Sequence, residues 1–158
     1  MTVMLGSLRR RRNPRAGGER GSVAVEFALL APLFLLLLFG IVDFGHALYM
    51  KQIVSNASRE AARYASKFHA DPATGAQIKP SALTPSVSAW TISKYAGLLP
   101  SDANLAATPG GPGYTSGTAG DDIQVTVTAI KTWFVLGKLV PSLGSQKNLS
   151  ATTVMKCE

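Results

Sequence analysis

Residues 28–42 read ALLAPLFLLLLFGIV, fifteen in a row without a charged or hydrogen-bonding side chain. Extended back to Ser22 the stretch is 21 residues long, interrupted only by Glu26. At about 1.5 Å per residue, a helix of that length crosses a hydrocarbon core of roughly 30 Å. The expectation is one transmembrane helix near the N-terminus. Outward from it the chain has room for one modest domain within its 158 residues. The charged fraction of 16% is low, against about a quarter in soluble proteins, and the deficit sits in this run.

The net charge of +7 is uneven. Residues 1–21 hold six arginines (Arg9, Arg10, Arg11, Arg12, Arg15, Arg20) against one acid, Glu19, which leaves +5 in the leader. The remaining ten basic and eight acidic residues leave +2 for residues 22–158. Arginines on one flank of a span fix its direction: N-terminus cytoplasmic, C-terminus outside. A flexible basic arm beside a membrane is explained by topology and anionic lipid, so no nucleic-acid partner is expected. Signal-peptide cores run to about 7–15 apolar residues before a small-x-small site. This run is longer, and Gly45-His46-Ala47 is a poor site, which favours a retained anchor.

Beyond the span the pattern turns amphipathic. Tyr49, Ile53, Ala57, Ala61, Tyr64 and Phe68 recur at spacings of three and four, with Lys51, Ser55, Arg59, Arg63 and Lys67 opposite them. Neither Pro nor Gly occurs from Ala47 to Phe68. The reading is one helix of about 45 residues, capped near Ser22 and ended by Asp71-Pro72. Pro32 is expected to kink it, and Gly40, Asp43 and Gly45 to mark packing near its outer end.

Farther on, Thr84 and Pro85 suit the start of a short helix and Gly97 its stop. Residues 104–120 (with TPGGPGYTSGTAG) read as a long flexible loop. Asp122–Ile130 alternates as a half-buried strand, and Leu149–Cys157 alternates too. The apolar connection between them, with Trp133, Phe134, Leu136, Leu139, Val140 and Leu143, is expected to be buried or to touch something. The fold class is therefore α+β. A basic leader (1–21) precedes a transmembrane helix (22–45) and its amphipathic continuation (46–68). A small extracytoplasmic domain (69–158) comes after it, built on a short helix and an antiparallel strand pair or small sheet.

The segment Arg20-Gly21-Ser22-Val23-Ala24-Val25-Glu26-Phe27 carries the chemistry. An acid at the centre of a membrane helix costs about 2.5–3.5 kcal/mol, less near the interface. One reading leaves Glu26 shallow, about 6 Å of helix rise from Ser22, snorkelling to water. The other cuts the chain after Gly21, which gives Ser22 a free α-amine one turn from Glu26. That amine, or a neighbouring subunit's, then pairs with the carboxylate. Gly21, without a side chain, enters a protease site easily. Physics alone favours the shallow reading.

The N-terminal half resembles the TadE-like family, minor pseudopilins of the tight-adherence (Flp-type) pilus machinery of bacteria. The resemblance rests on Gly21 followed by Glu26-Phe27, on Ala28 and the Leu-rich run around Pro32, on GIVDFG (40–45) and on NASREAARY (56–64). Looser likeness extends to 123–128, Pro141 and 149–153, while 69–121 match nothing. The resemblance implies cleavage between Gly21 and Ser22 by a membrane prepilin peptidase, with Glu26 and Phe27 as the processing and assembly motif, and it tips the balance to the paired reading of Glu26. It also implies a single-pass protein of the bacterial inner membrane. Its partners would be the peptidase, other pilins or pseudopilins, inner-membrane pilus assembly proteins and the lipid bilayer. An uncleaved, signal-anchored envelope protein whose outer domain is an interaction module is the competing reading.

The other candidates are weaker. His46 and His69 have no evident metal partners, and Asp121-Asp122 suits a turn. Asp43 either pairs with a cation across helices or marks the interface. Cys157 stands alone, so no internal disulfide can form. No catalytic constellation, metal cluster or cofactor motif is present in the sequence, and no enzyme is expected.

Overall fold

The computed structural model describes residues 18–158, with side chains from Gly21 onward. Most of the basic leader therefore lies outside the described residues. The chain divides into two units, one ending at Leu38 and one running from Phe39 to Glu158.

The described part of the first unit is helical throughout. It belongs to α1, Gly18–Ser66, whose 49 residues pass through Pro32 without interruption. The helix thus starts about one turn before the expected Ser22, since no proline occurs between Pro14 and Pro32 to stop it. From Gly21 to Leu38 every side chain except half-buried Ala31 is exposed, Phe27 at 70% and Leu29 at 74%. A continuous apolar surface of this kind is stable only against lipid or other apolar helices. This one helix is long and apolar enough to cross a membrane, which fits a single-pass protein.

The second unit is a three-stranded antiparallel sheet packed on the remainder of α1. The strands β1 (Ala106–Gly110), β2 (Asp122–Thr132) and β3 (Gln146–Lys156) lie in the order β1-β2-β3. β2 pairs with β3 over eleven residues, from Asp122 opposite Lys156 to Thr132 opposite Gln146. Its alternation is realised cleanly: Ile123, Val125, Val127 and Ala129 are buried while the residues between them are not. Against this face α1 lays Met50, Ile53, Val54, Ala57, Ala61, Ala62 and Ala65. Four alanines allow the helix to lie close to the sheet, and Ser58 Oγ meets Thr153 Oγ1 at 2.9 Å.

The buried stripe is rotated from the expected one. Tyr49 and Phe68 are exposed. Tyr49 instead donates its hydroxyl to Leu98 O at 3.3 Å, and Tyr64 donates to Pro85 O while stacking on Trp90 at 4.7 Å. Aromatic residues with a polar tip settle at the wet flank of a core, and alanines take its centre. The helix ends at Ser66, short of Asp71-Pro72. Its last carbonyls still find donors: the Tyr64 carbonyl accepts from His69 Nε2 at 2.8 Å and the Ser66 carbonyl from the Glu158 N–H at 2.9 Å.

Helix α2, Val87–Tyr95, is capped by Ser86, whose Oγ accepts from the Ala89 N–H at 3.2 Å. The cap is thus two residues beyond Thr84, because Pro85 precedes the cap rather than opening the helix. A 3-10 turn over Ala96–Leu98 carries the chain through Gly97.

The segment 104–120, expected as a loop, holds edge strand β1 and a short helix α3, Pro112–Ser116. Pro109 fits there because an edge strand has one free side. Gly111, at φ +92, joins the two, and a Cβ on it would sit 2.6 Å from the Asp122 carbonyl oxygen. The glycine richness that suggested a loop reflects this close passage.

Two contacts fix the direction of β2 against α1. Asp43 of α1 lies against Lys131, and Ser58 against Thr153, the partner of Val125. Fifteen helical residues rise about 22 Å and six strand residues about 20 Å, so the two contacts agree on β2 running antiparallel to α1. The C-terminal end of β2 therefore points back toward residues 39–42, the C-terminal end of the apolar run.

Candidate functional site: the Asp43 junction and the helix head

Two places on α1 concentrate the chemistry. The first is Asp43, one residue past the end of the apolar run and fully buried. Its Oδ1 accepts from Lys131 Nζ at 3.3 Å and from the Phe134 N–H at 2.9 Å. Its Oδ2 accepts from the N–H groups of Val135 at 2.9 Å and Leu136 at 3.0 Å. The carboxylate thus supplies, from a distant helix, the cap that the first turn of α4 (Leu136–Leu139) lacks locally.

Lys131 is fully buried as well. It also donates to the Thr132 carbonyl, and its ammonium stands over the Phe134 ring at 4.3 Å and the Trp133 ring at 5.2 Å. Desolvating two charges is costly unless their remaining hydrogen-bonding capacity is filled. Four donors on one carboxylate fill it here, and they are charge-assisted bonds. The arrangement is an anchor: it ties residues 131–136 to α1 at Asp43.

Of the two roles open to Asp43 from the sequence, pairing is observed, but within the chain. Lys131 was not among the expected site residues. Its signal was present, since it continues the inward odd-numbered register of Ile123, Val125, Val127 and Ala129. A buried lysine there requires an acid, and Asp43 is the acid at the apolar end of the facing helix.

The glycines on either side act differently. A Cβ on Gly40 would meet Leu136 Cδ2 at 3.8 Å, an ordinary contact, and one on Gly45 would meet nothing within 4 Å. Neither is therefore fixed by space within the chain. Pro32 sits inside α1 among exposed residues.

The second place is the helix head. Gly21 and Ser22 lie in the first turns of α1 and are exposed, as are Glu26 and Phe27. A Cβ on Gly21 would have open space around it. Phe27, Leu30, Ala31, Phe34 and Leu35 line one shallow apolar groove. Their spacing of three and four is that of a helix-packing seam. Among the described residues the head thus offers a carboxylate without a partner and a greasy face to whatever surrounds it.

Among the described residues no group of three or more His, Cys, Asp and Glu side chains is placed to hold a metal ion. His69 instead donates to the Tyr64 carbonyl at the end of α1, and Asp121 accepts from Ser116 Oγ at 2.7 Å.

No curated protein and no solved structure matches the chain. The family model described as TadE-like protein matches residues 21–63, which take in the helix head, the apolar run, Asp43 and most of the stripe on the sheet, and the N-terminal helix is thereby shown to be similar to that family.

Proposed function

We propose that this chain is a pilin-like membrane protein that takes part in assembling a tight-adherence (Flp-type) pilus, as a minor pseudopilin or assembly factor. The observation that carries the reading is the TadE-like match over residues 21–63. In this reading a prepilin peptidase cuts between Gly21 and Ser22 and leaves the new α-amine one turn from Glu26. The carboxylate gains a cationic neighbour, its own or that of an adjacent subunit, which sets register when apolar helices pack. The exposed seam from Phe27 to Leu35 supports this, because such a surface leaves lipid only for other helices of the same kind. The chain stays in the inner membrane, N-terminus inside, until it meets its pilin partners.

The test is mass spectrometry of the N-terminus of protein taken from its native membrane. The expected mature chain starts at Ser22. A chain that keeps all six leader arginines in cells with an active processing enzyme overturns the processing and favours the uncleaved anchor.

A further inference from the structure

The connection from Trp133 to Ser145 is not buried as its composition suggests. Phe134 is 57% exposed, Leu139 51%, and Val140 and Leu143 are also open. A soluble surface seldom gathers so many apolar side chains on so short a segment. Two observations say what covers them. First, the Asp43 anchor and the antiparallel run of β2 hold this segment beside residues 40–43 of α1, where the apolar run ends. Second, a cleft of about 370 Å³ opens between the segment and the helix, with Phe44, Leu48, Trp133 and Leu143 among its apolar walls and Lys51 and Lys147 as its cations.

We propose that this segment is a second membrane contact, a foot seated in the outer surface of the bilayer, and that the cleft takes the headgroup of an anionic phospholipid. The inference rests on the reading of α1 as a bilayer-spanning helix. Phe134, Leu139 and Val140 enter the interfacial layer where the helix leaves it. Lys51 and Lys147 face the lipid phosphate, as ammonium groups pair with phosphate oxygens through charge-assisted hydrogen bonds. Trp133 lines the cleft wall, at the depth where membrane proteins gather tryptophans. Charge and apolar area thus point to the same occupant.

The experiment uses the full chain carrying Cys157→Ser, which keeps a hydroxyl beside the Gly113 carbonyl, in nanodiscs of phosphatidylcholine alone or mixed with phosphatidylglycerol. Nitroxide labels are placed singly at Leu36→Cys, Leu139→Cys and Ala89→Cys. Their relaxation by oxygen, which concentrates in lipid, is compared with relaxation by a water-soluble nickel chelate. The label at 139 should read interfacial depth, deeper with phosphatidylglycerol, while the label at 89 reads water. Lys51→Glu with Lys147→Glu, both at exposed positions, should abolish the phosphatidylglycerol dependence. A label at 139 as wet as that at 89 overturns the foot. A label at 139 shielded from both relaxants shows a protein covering instead, and overturns it too. Equal depth in both lipid mixtures overturns the headgroup assignment. A wet label at 36 brings down the spanning reading itself, which separates that failure from the others.

Discussion

Asp43 and Lys131, 88 residues apart in sequence, meet at 3.3 Å with neither side chain exposed. One stands at the end of an apolar helix and the other on the buried face of β2. Through the three N–H groups that share the carboxylate, the pair also decides where the 133–145 segment sits. A buried pair of this kind contributes little net stability but is costly to break from one side.

The first prediction comes from that asymmetry. Asp43→Ala or Lys131→Met alone should destabilise the sheet domain by about 3–5 kcal/mol, because each leaves a buried charge without its partner. The double variant should cost clearly less than the two singles together. Urea unfolding in detergent micelles, followed by tryptophan fluorescence, measures the cycle. Strict additivity would show that the two groups do not act as a pair.

The sheet domain should also carry a pH signature on both flanks. Lys94 hydrogen-bonds Glu60 and holds its carboxyl below the usual range. A depressed folded pKa means that the stabilisation is present above the unfolded value and is lost as pH falls through the folded one. Both side chains are nearly half exposed, so the effect should be small, about 0.2–1 kcal/mol. Tyr95 behaves oppositely. Burial, with Glu60 adding to it, pushes its hydroxyl up from 10.0 to about 12. Its contribution is whole below the unfolded value and declines as pH rises from there toward about 12. Thermal melts across pH should show the acid slope diminished in Glu60→Gln and the alkaline slope diminished in Tyr95→Phe.

Cys157 directly succeeds β3 and is buried, with Sγ 3.5 Å from the Gly113 carbonyl oxygen. Burial, reinforced by Asp121, raises its pKa. A thiol that is both hidden and protonated attacks slowly. Iodoacetamide should leave it unmodified in the folded protein and label it once urea unfolds the domain. Fast labelling of the native chain, or a disulfide-linked dimer from native membranes, would contradict this.

How much of the fold and of the site was legible in the sequence depends on the range of the interaction. The span, the long helix, the alternation of β2 and the likeness of residues 21–63 to the TadE-like family are local patterns, and periodicity is a local signal. The exact face of α1 was not legible, since the Tyr49 hydroxyl turns to the Leu98 carbonyl, Phe68 lies past the end of the helix at Ser66, and small alanines take the interface. The 104–120 segment misled because Gly111 and Gly113 are there for close passage rather than for looseness. The Asp43 anchor is wholly non-local: its bonds span 88 to 93 residues, and only the register of Lys131 hinted at it.

The last prediction concerns Glu26, which is exposed on the helix head while Asp43 is paired. The two acids that flank the apolar run are thus treated differently, and among the described residues Glu26 has no partner. Removing its charge should ease insertion, by up to about 2.5–3.5 kcal/mol if the residue sits deep and by less near the interface. If Glu26 sets register between packed helices, the same change should weaken assembly. Glu26→Gln should therefore leave the protein fully in the membrane fraction, with the sheet domain's melting unchanged, and reduce both piliation and co-purification with pilin partners. Opposite signs on insertion and assembly distinguish this from a folding defect, which would lower both. Normal piliation in the Glu26→Gln strain would count against the register role and leave Glu26 as a shallow, solvated acid.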